Sequence, residues 1–178
     1  MFAFIAREPI LDKSKSVFAY ELIFRDGKGG AYPEHSPEKA QYIEEQFHPL
    51  GLDDISGEKS SFINFYFLTL ISRFPTTLDP ASVVVELADN PFTDTGLLEA
   101  CQHIKQLGYR LAIDDPMMLS ARHDILPLID IVKVDVSRTR FETIEKHIPR
   151  IFGTKRRIFL VDLRSDNDIY PEGAKFFI

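Results

Sequence analysis

The sequence predicts an α/β chain folded as a closed (β/α)8 barrel with an antiparallel first strand. Three observations lead there. Short apolar runs recur, each followed by a helical pattern, which is the signature of βα units and a parallel sheet. The spacing of these runs, about 20 to 30 residues, matches one βα repeat each. The N-terminal part departs from this pattern, because two strand-like runs are joined by a turn too short for a parallel crossover. One antiparallel strand and about seven parallel ones come close to the eight of a TIM-like barrel.

The N-terminal pair comprises Ala3 to Pro9 and Val17 to Phe24, joined across Leu11-Asp12-Lys13-Ser14-Lys15. The later runs are Phe62-Ile63-Asn64, Val83 to Leu87, Arg110 to Asp114, Ile131 to Asp135 and Ile158 to Asp162, with Lys175 to Ile178 closing the chain. The clearest helix precedes Arg110. Leu97, Leu98, Cys101, Ile104 and Leu107 recur at helical spacing, Thr93 or Asp94 can cap it, and Gly108 suits a left-handed C-terminal position. Weaker helical patterns run through 38–47, 65–73, 120–128 and 141–152. The segment 27–37 reads as a loop.

With 178 residues and 44% hydrophobic content, the chain can bury one sizeable core, and 1–178 is expected to be a single domain. The formal net charge of −6 gives no overall pull toward nucleic acid or an anionic membrane, so neither is expected as a partner. The lone cysteine, Cys101, excludes an intrachain disulfide and reads as a buried structural thiol. No apolar run is long enough to span a bilayer, and the first residues lack a signal-peptide pattern; cytoplasmic residence is the resulting expectation. The five histidines show no ligand spacing and are expected on the surface or in loops.

The chemistry lies in what ends each run. Asn64, Glu86, Asp114, Lys133 with Asp135, and Asp162 stand at or near the C-terminal ends of apolar strands, where a barrel builds its active site. Glu21 lies among Tyr20, Leu22, Ile23 and Phe24, where a carboxylate either faces the barrel mouth or costs stability. Converging carboxylates and an amide oxygen suit a hard divalent cation, Mg²⁺ or Mn²⁺. Such an ion removes the mutual repulsion of clustered carboxylates and supports phosphodiester hydrolysis. Lys133, between Val132 and Val134, is a charge in a buried strand and calls for a paired role. Bland readings stand beside these. Asp135, ahead of Ser137, reads first as a helix cap, Asn64 is open either way, and Arg25 pairs with either Asp26 or Glu21.

Taken together, these residues resemble a known family. Tyr20-Glu21-Leu22-Ile23-Phe24-Arg25 resembles the ExLxR signature of EAL domains, the cyclic di-GMP phosphodiesterase family. Phe62-Ile63-Asn64, Val85-Glu86-Leu87, Ile113-Asp114-Asp115 and Val132-Lys133-Val134-Asp135 are similar to its Asn, Glu, paired-aspartate and lysine strands, in the same order. The opening Ile5 to Ile10 and Arg25-Asp26-Gly27 are closer to the EAL-like domain that precedes an HDOD domain. The resemblance implies a barrel with an antiparallel first strand. It also implies a metal held by Glu21, Asn64, Glu86 and Asp114, with Asp114, Asp115 and Asp162 serving a second. Lys133 would orient the attacking water, with Glu21 and Asp115 beside it in the catalytic group. Arg25 and Asp135 would belong to the ligand site, Arg25 meeting a phosphate.

Departures from the family point to an eroded site. Pro116-Met117-Met118-Leu119-Ser120 replaces a glycine-bearing loop, and Pro fixes φ where glycine would leave it free. Asp162-Leu163-Arg164-Ser165 stands for a Glu-rich segment, and Glu8 stands where the family often has Gln. The missing last helix suggests a natural trimming or a cut before a further domain. The expectation is therefore a signalling domain that binds cyclic di-GMP or a protein, with a following HDOD-type domain or a homodimer among its partners. Catalysis would be weak or absent; the rival expectation is an active phosphodiesterase yielding pGpG.

Overall fold

The computed structural model describes residues 4–12, 14–25, 51–65, 67–71, 78–87, 95–114, 124–135, 142, 158–162 and 175–177. These form an α/β fold around one curled mixed sheet. Its strands are β1 (Phe4–Leu11), β2 (Val17–Arg25), β3 (Ser60–Phe65), β4 (Val83–Leu87), β5 (Arg110–Asp114), β6 (Ile131–Asp135), β7 (Ile158–Asp162) and β8 (Lys175–Phe177). They lie in sequence order, and the sheet curls until β8 pairs back onto β1.

The expected antiparallel start is present. β1 and β2 run antiparallel with Phe4 opposite Arg25 and Glu8 opposite Glu21. The turn between them is held by Asp12, whose Oδ1 accepts hydrogen bonds from the Ser14 and Ser16 amides at 2.8 and 2.9 Å. Lys15 takes a positive φ of 64°, an unusual conformation for a residue bearing a Cβ. β2 through β7 are then parallel neighbours.

One strand departs from expectation. β8 runs antiparallel to β7 and parallel to β1, whereas the sequence suggested that it would continue the parallel series. Only residues 163–174 separate β7 from β8, and that interval includes Pro171 and Gly173. A parallel crossover needs a dozen or more residues, usually with a helix, so the link is at the lower limit for one.

The described helices are α1 (Leu52–Ser56), α2 (Phe67–Ile71) and α3 (Thr95–Gln106), with a 3-10 turn at Leu126–Leu128. α3 ends in a Schellman arrangement. The Tyr109 amide donates to the Ile104 carbonyl at 3.3 Å and the Gly108 amide to Lys105 at 3.0 Å. Gly108 has φ +93°, as this cap requires. The candidate caps Thr93 and Asp94 lie outside the described residues, as do the helical patterns at 38–47 and nearly all of 141–152. Of the pattern at 120–128, the described part contains only the 3-10 turn. His103 lies on α3 and is partly exposed, in keeping with a surface position; the other four histidines fall outside the described residues.

Strand alternation divides the core into two layers. Leu22, Ile63, Val85, Leu111 and Val132 pack outward with Leu97, Cys101 and Ile104 of α3. Ile10, Ala19, Phe62, Val84, Ala112 and Ile131 form a separate buried cluster. Each of these alternates in its strand with outward-packing neighbours, so the second cluster fills the interior of the curl. Cys101 is fully buried, as its helical spacing predicted.

The ends of the sheet opposite the candidate site are tied by polar groups. Ser56 and Ser61 hydroxyls hydrogen-bond at 2.6 Å, and Arg110 Nη2 donates to Ser60 Oγ at 2.7 Å. Asp130 accepts from Lys105 Nζ at 2.5 Å and from the Leu111 amide at 2.8 Å, linking α3 to β5. Tyr109 donates its hydroxyl to the Leu78 carbonyl, and burial, reinforced by the nearby Asp79 charge, raises its pKa above the ordinary phenol value. On β1, Arg7 stacks 4.4 Å over the Tyr20 ring and donates to the Ile55 carbonyl of α1 at 2.5 Å.

Leu111→Ala is expected to destabilise the fold by about 2–5 kcal/mol, since it opens a cavity between β5 and α3. Leu107→Ala, at a position 44% exposed, should stay within about 0.5 kcal/mol. Urea unfolding midpoints of the two variants check this contrast.

Candidate functional site

The site is built by counting two residues along each strand from the interior apolar cluster. From Ala19 the count reaches Glu21, from Phe62 Asn64, from Val84 Glu86, from Ala112 Asp114 and from Ile131 Lys133. On β1, which runs the other way, the count back from Ile10 reaches Glu8. Side chains two apart on a strand share a face, so the apolar layer dictates a second layer above it. In this chain the second layer consists of polar and charged residues.

Three members of that layer meet. Lys133 Nζ donates to Glu21 Oε2 at 3.0 Å and also to Glu86 Oε1. All three side chains are buried: relative exposure is 4% for Glu21, 0% for Glu86 and 3% for Lys133. β2, β4 and β6 each contribute one of them, so residues far apart in sequence depend on the curl of the sheet to meet. Taking two carboxylates and an ammonium out of water is costly, and their charge-assisted hydrogen bonds offset that cost only in this arrangement. Formally the three groups sum to −1, an environment that favours additional positive charge.

The remaining members are placed by register. Asn64 is half-buried and stands opposite Glu86 on the neighbouring strand. Asp114 is the register partner of Lys133, and Asp135 that of Asp162 one step further toward the strand ends. Arg25 ends β2 opposite Phe4. For Asp114, Asp135, Asp162 and Arg25 the description reaches the backbone only. Asp115 and the segment 116–120 lie outside the described residues. Among the described residues no three His, Cys, Asp or Glu side chains gather closely enough to hold a metal ion. The acids that come together there are Glu21 and Glu86, focused on one ammonium.

Glu21 and Glu86 supply oxygen donors of the kind a hard cation takes, but among the described residues Lys133 engages both and no third acid joins them. Two carboxylate oxygens from different strands already converge on a single positive centre, and an amide-bearing residue flanks one of them. Lys133 is paired, as a charge in a buried strand requires, and Glu21, left between facing the barrel mouth and costing stability, is buried against it; of the expected ligands Glu21, Asn64, Glu86 and Asp114, the described contacts join Glu21 and Glu86. The sequence reading did not see that one lysine bridges both glutamates. It noted Glu8 only as standing where the family often has Gln, not as the cross-strand partner of Glu21; the short turn at Asp12 carried that signal through the register it imposes.

Comparisons with known proteins agree with this fold. No protein-family model matches the chain. The chain is 39% identical over 182 residues to the cyclic di-GMP phosphodiesterase CdgJ of Vibrio cholerae, covering 98% of this chain and 42% of that relative. It therefore spans less than half the length of that protein. Among solved structures, the Bacillus subtilis YkuI protein, which has an EAL domain and was solved with c-di-GMP and calcium, matches with a TM-score of 0.62. That match has 15% identity and covers 92% of this chain and 50% of YkuI. Klebsiella pneumoniae BlrP1, in its manganese and cyclic di-GMP complex, matches with a TM-score of 0.56 at 19% identity, covering 76% and 40%. At such identities the two structures speak to the fold.

Lys133→Met is expected to destabilise the protein by about 3–5 kcal/mol, because it strands two buried carboxylates. The double variant Lys133→Met/Glu86→Leu should lose less than the sum of the single losses, with a coupling of about 1–3 kcal/mol. A double-mutant cycle by denaturant titration measures this; additive losses would contradict the bridging role of Lys133.

Proposed function

We propose that this chain is an EAL-like domain of cyclic di-GMP signalling, in keeping with its likeness to CdgJ, and that it acts as a binding module for cyclic di-GMP or a protein partner, with weak or no catalysis. The observation that carries this reading is the buried Glu21–Lys133–Glu86 cluster on the floor of the strand-end face. It keeps a polar, cation-attracting centre where a phosphate-bearing ligand with its metal would sit. The wider fold on this reading is the full (β/α)8 TIM-like barrel with its antiparallel first strand.

Glu21, Asn64 and Glu86, with Asp114, would hold a divalent cation, Mg²⁺ or Mn²⁺. Asp115 and Asp162 would serve a second. Such ions neutralise phosphoryl oxygens and lower the pKa of bound water. The protein's own contribution is positional. Glu21 and Glu86 are presented from rigid strands, Lys133 orients the water, Arg25 meets a phosphate, and Asp135 completes the rim. On this reading the erosion lies in the sequence departures at Pro116 to Ser120 and at Asp162, on which the second cation would depend. Misplacement on the order of 1 Å can cost about a hundredfold in rate. Binding tolerates that error better than an in-line displacement does. Cytoplasmic residence, a following HDOD-type domain and homodimerisation belong to the same proposal. Among the described residues no helix is long and apolar enough to cross a membrane.

The second reading is an active phosphodiesterase opening cyclic di-GMP to linear pGpG. It is favoured by the retained Glu21, Glu86 and Lys133 and by the likeness to a protein named as such a phosphodiesterase.

Calorimetric titration with cyclic di-GMP in Ca²⁺, followed by chromatography of products in Mn²⁺, separates the two. The expected outcome is measurable binding with slow or undetectable pGpG formation. Robust conversion that disappears in Glu21→Ala would establish the second reading instead. Absence of any nucleotide heat would leave the protein-binding role as the surviving part of the proposal.

A further inference from the structure

Among the inward positions Ala6, Glu8 and Ile10 of β1, Glu8 carries the one charge. Its Oε2 is buried from solvent. In register it stands opposite Glu21, whose own Oε2 accepts a hydrogen bond from Lys133. Directly opposed residues of an antiparallel pair have Cβ atoms about 4.5–5.5 Å apart, so a further carboxylate is set beside the Glu21–Lys133–Glu86 cluster from the neighbouring strand. Lys133 offsets one of the three glutamate charges, and Glu8, Glu21 and Glu86 formally leave the rest uncompensated among themselves. Like charges directly opposite one another on a sheet cost stability. A glutamine would fill the same space without that cost, so packing does not account for an acid at this position.

We propose that Glu8 is a specificity-determining residue of the strand-end face, and that its carboxylate acts against phosphate-bearing ligands and holds the affinity for cyclic di-GMP low. The proposal rests on the reading of that face as a cyclic di-GMP site and names the residue that sets its strength. An anion arriving above the charged layer meets Glu8 in surroundings that screen it less than water does. At a separation of about 6 Å and an effective dielectric constant of about 20, one such repulsion changes an affinity by roughly tenfold to a hundredfold. The effect falls on the phosphates. The uncharged nucleoside part of the same ligand has no charge for Glu8 to repel. Discrimination by a repulsive group placed against one class of ligand needs no complementary contact to another. Glu8 is placed for this by the β1–β2 register alone, and the turn at Asp12 holds that register.

The sign of the effect separates this role from that of a supporting residue. If Glu8 helped to hold the ligand, removing its charge would weaken binding. If it repels the phosphates, removing the charge strengthens binding. Calorimetric titration of the full chain with cyclic di-GMP, at one fixed Ca²⁺ concentration, is expected to give Glu8→Gln an affinity about tenfold or more above wild type. Glu8→Ala also removes the charge and should gain in the same direction, so the test survives if one neutral variant fails to fold. Glu8→Asp keeps the charge and should stay near wild type. Guanosine, which lacks phosphate, should show no gain in Glu8→Gln. Cyclic di-GMP heat in wild type with no gain in either neutral variant overturns the inference and leaves the proposed ligand standing. An equal gain for guanosine also overturns it, because the effect would then lie in shape and not in charge. Heat in the neutral variants but not in wild type keeps the inference and retires cyclic di-GMP as the ligand of the wild-type chain. No nucleotide heat in any of the proteins overturns both.

Discussion

The contact on which the interior depends is the one Lys133 makes with Glu21 and Glu86. A curled sheet closes around whatever fills its centre. Here the lower part is filled by Ile10, Ala19, Phe62, Val84, Ala112 and Ile131, which close-pack without polar atoms. Directly above, strand alternation forces six inward positions that hold Glu8, Glu21, Asn64, Glu86, Asp114 and Lys133. Four acids, an amide and one lysine would be a poor floor for a core if left apart. The lysine bridge turns part of this layer into a hydrogen-bonded unit, and β2, β4 and β6 are drawn to one point by it.

The fold and the site place opposite demands on the same strands. Outward-facing residues such as Ile63, Val85, Leu111 and Val132 pack against α3 and its neighbours and carry the stability. Inward-facing residues near the strand starts are apolar and range in size from Ala19 to Phe62, and those near the strand ends are polar or charged. Val83 to Leu87 shows the arrangement within five residues. Val83, Val85 and Leu87 pack outward, Val84 fills the interior floor, and Glu86 enters the charged layer. A single residue slip in that strand would place Glu86 against α3 and bury it without a partner. The polar latch at the other end, through Ser56, Ser61, Ser60 and Arg110, helps hold the register that prevents such a slip.

Much of this was legible in the chain itself. Six of the eight strands follow from short apolar runs, and the antiparallel opening follows from a turn too short for a crossover. The Schellman end of α3 follows from Leu107-Gly108 and the periodicity before it. β8 was misjudged in direction, because its orientation depends on where the chain can land on a closing sheet rather than on any local pattern. The inward role of Glu21 and the paired role of Lys133 were also readable, since an isolated charge in an apolar strand is too costly to leave without a purpose.

What the sequence by itself determined, then, was the set of elements, their order, and which residues carry charge into the strand ends. Those properties are local: propensity, periodicity and turn chemistry act within a few residues. Only the tertiary structure decided that Lys133 serves two glutamates, 112 and 47 positions away, and that Glu8 lies opposite Glu21. The stagger between strands and the curvature of the sheet set those meetings. Both arise from the packing of the whole interior layer, and no segment of the chain encodes them alone.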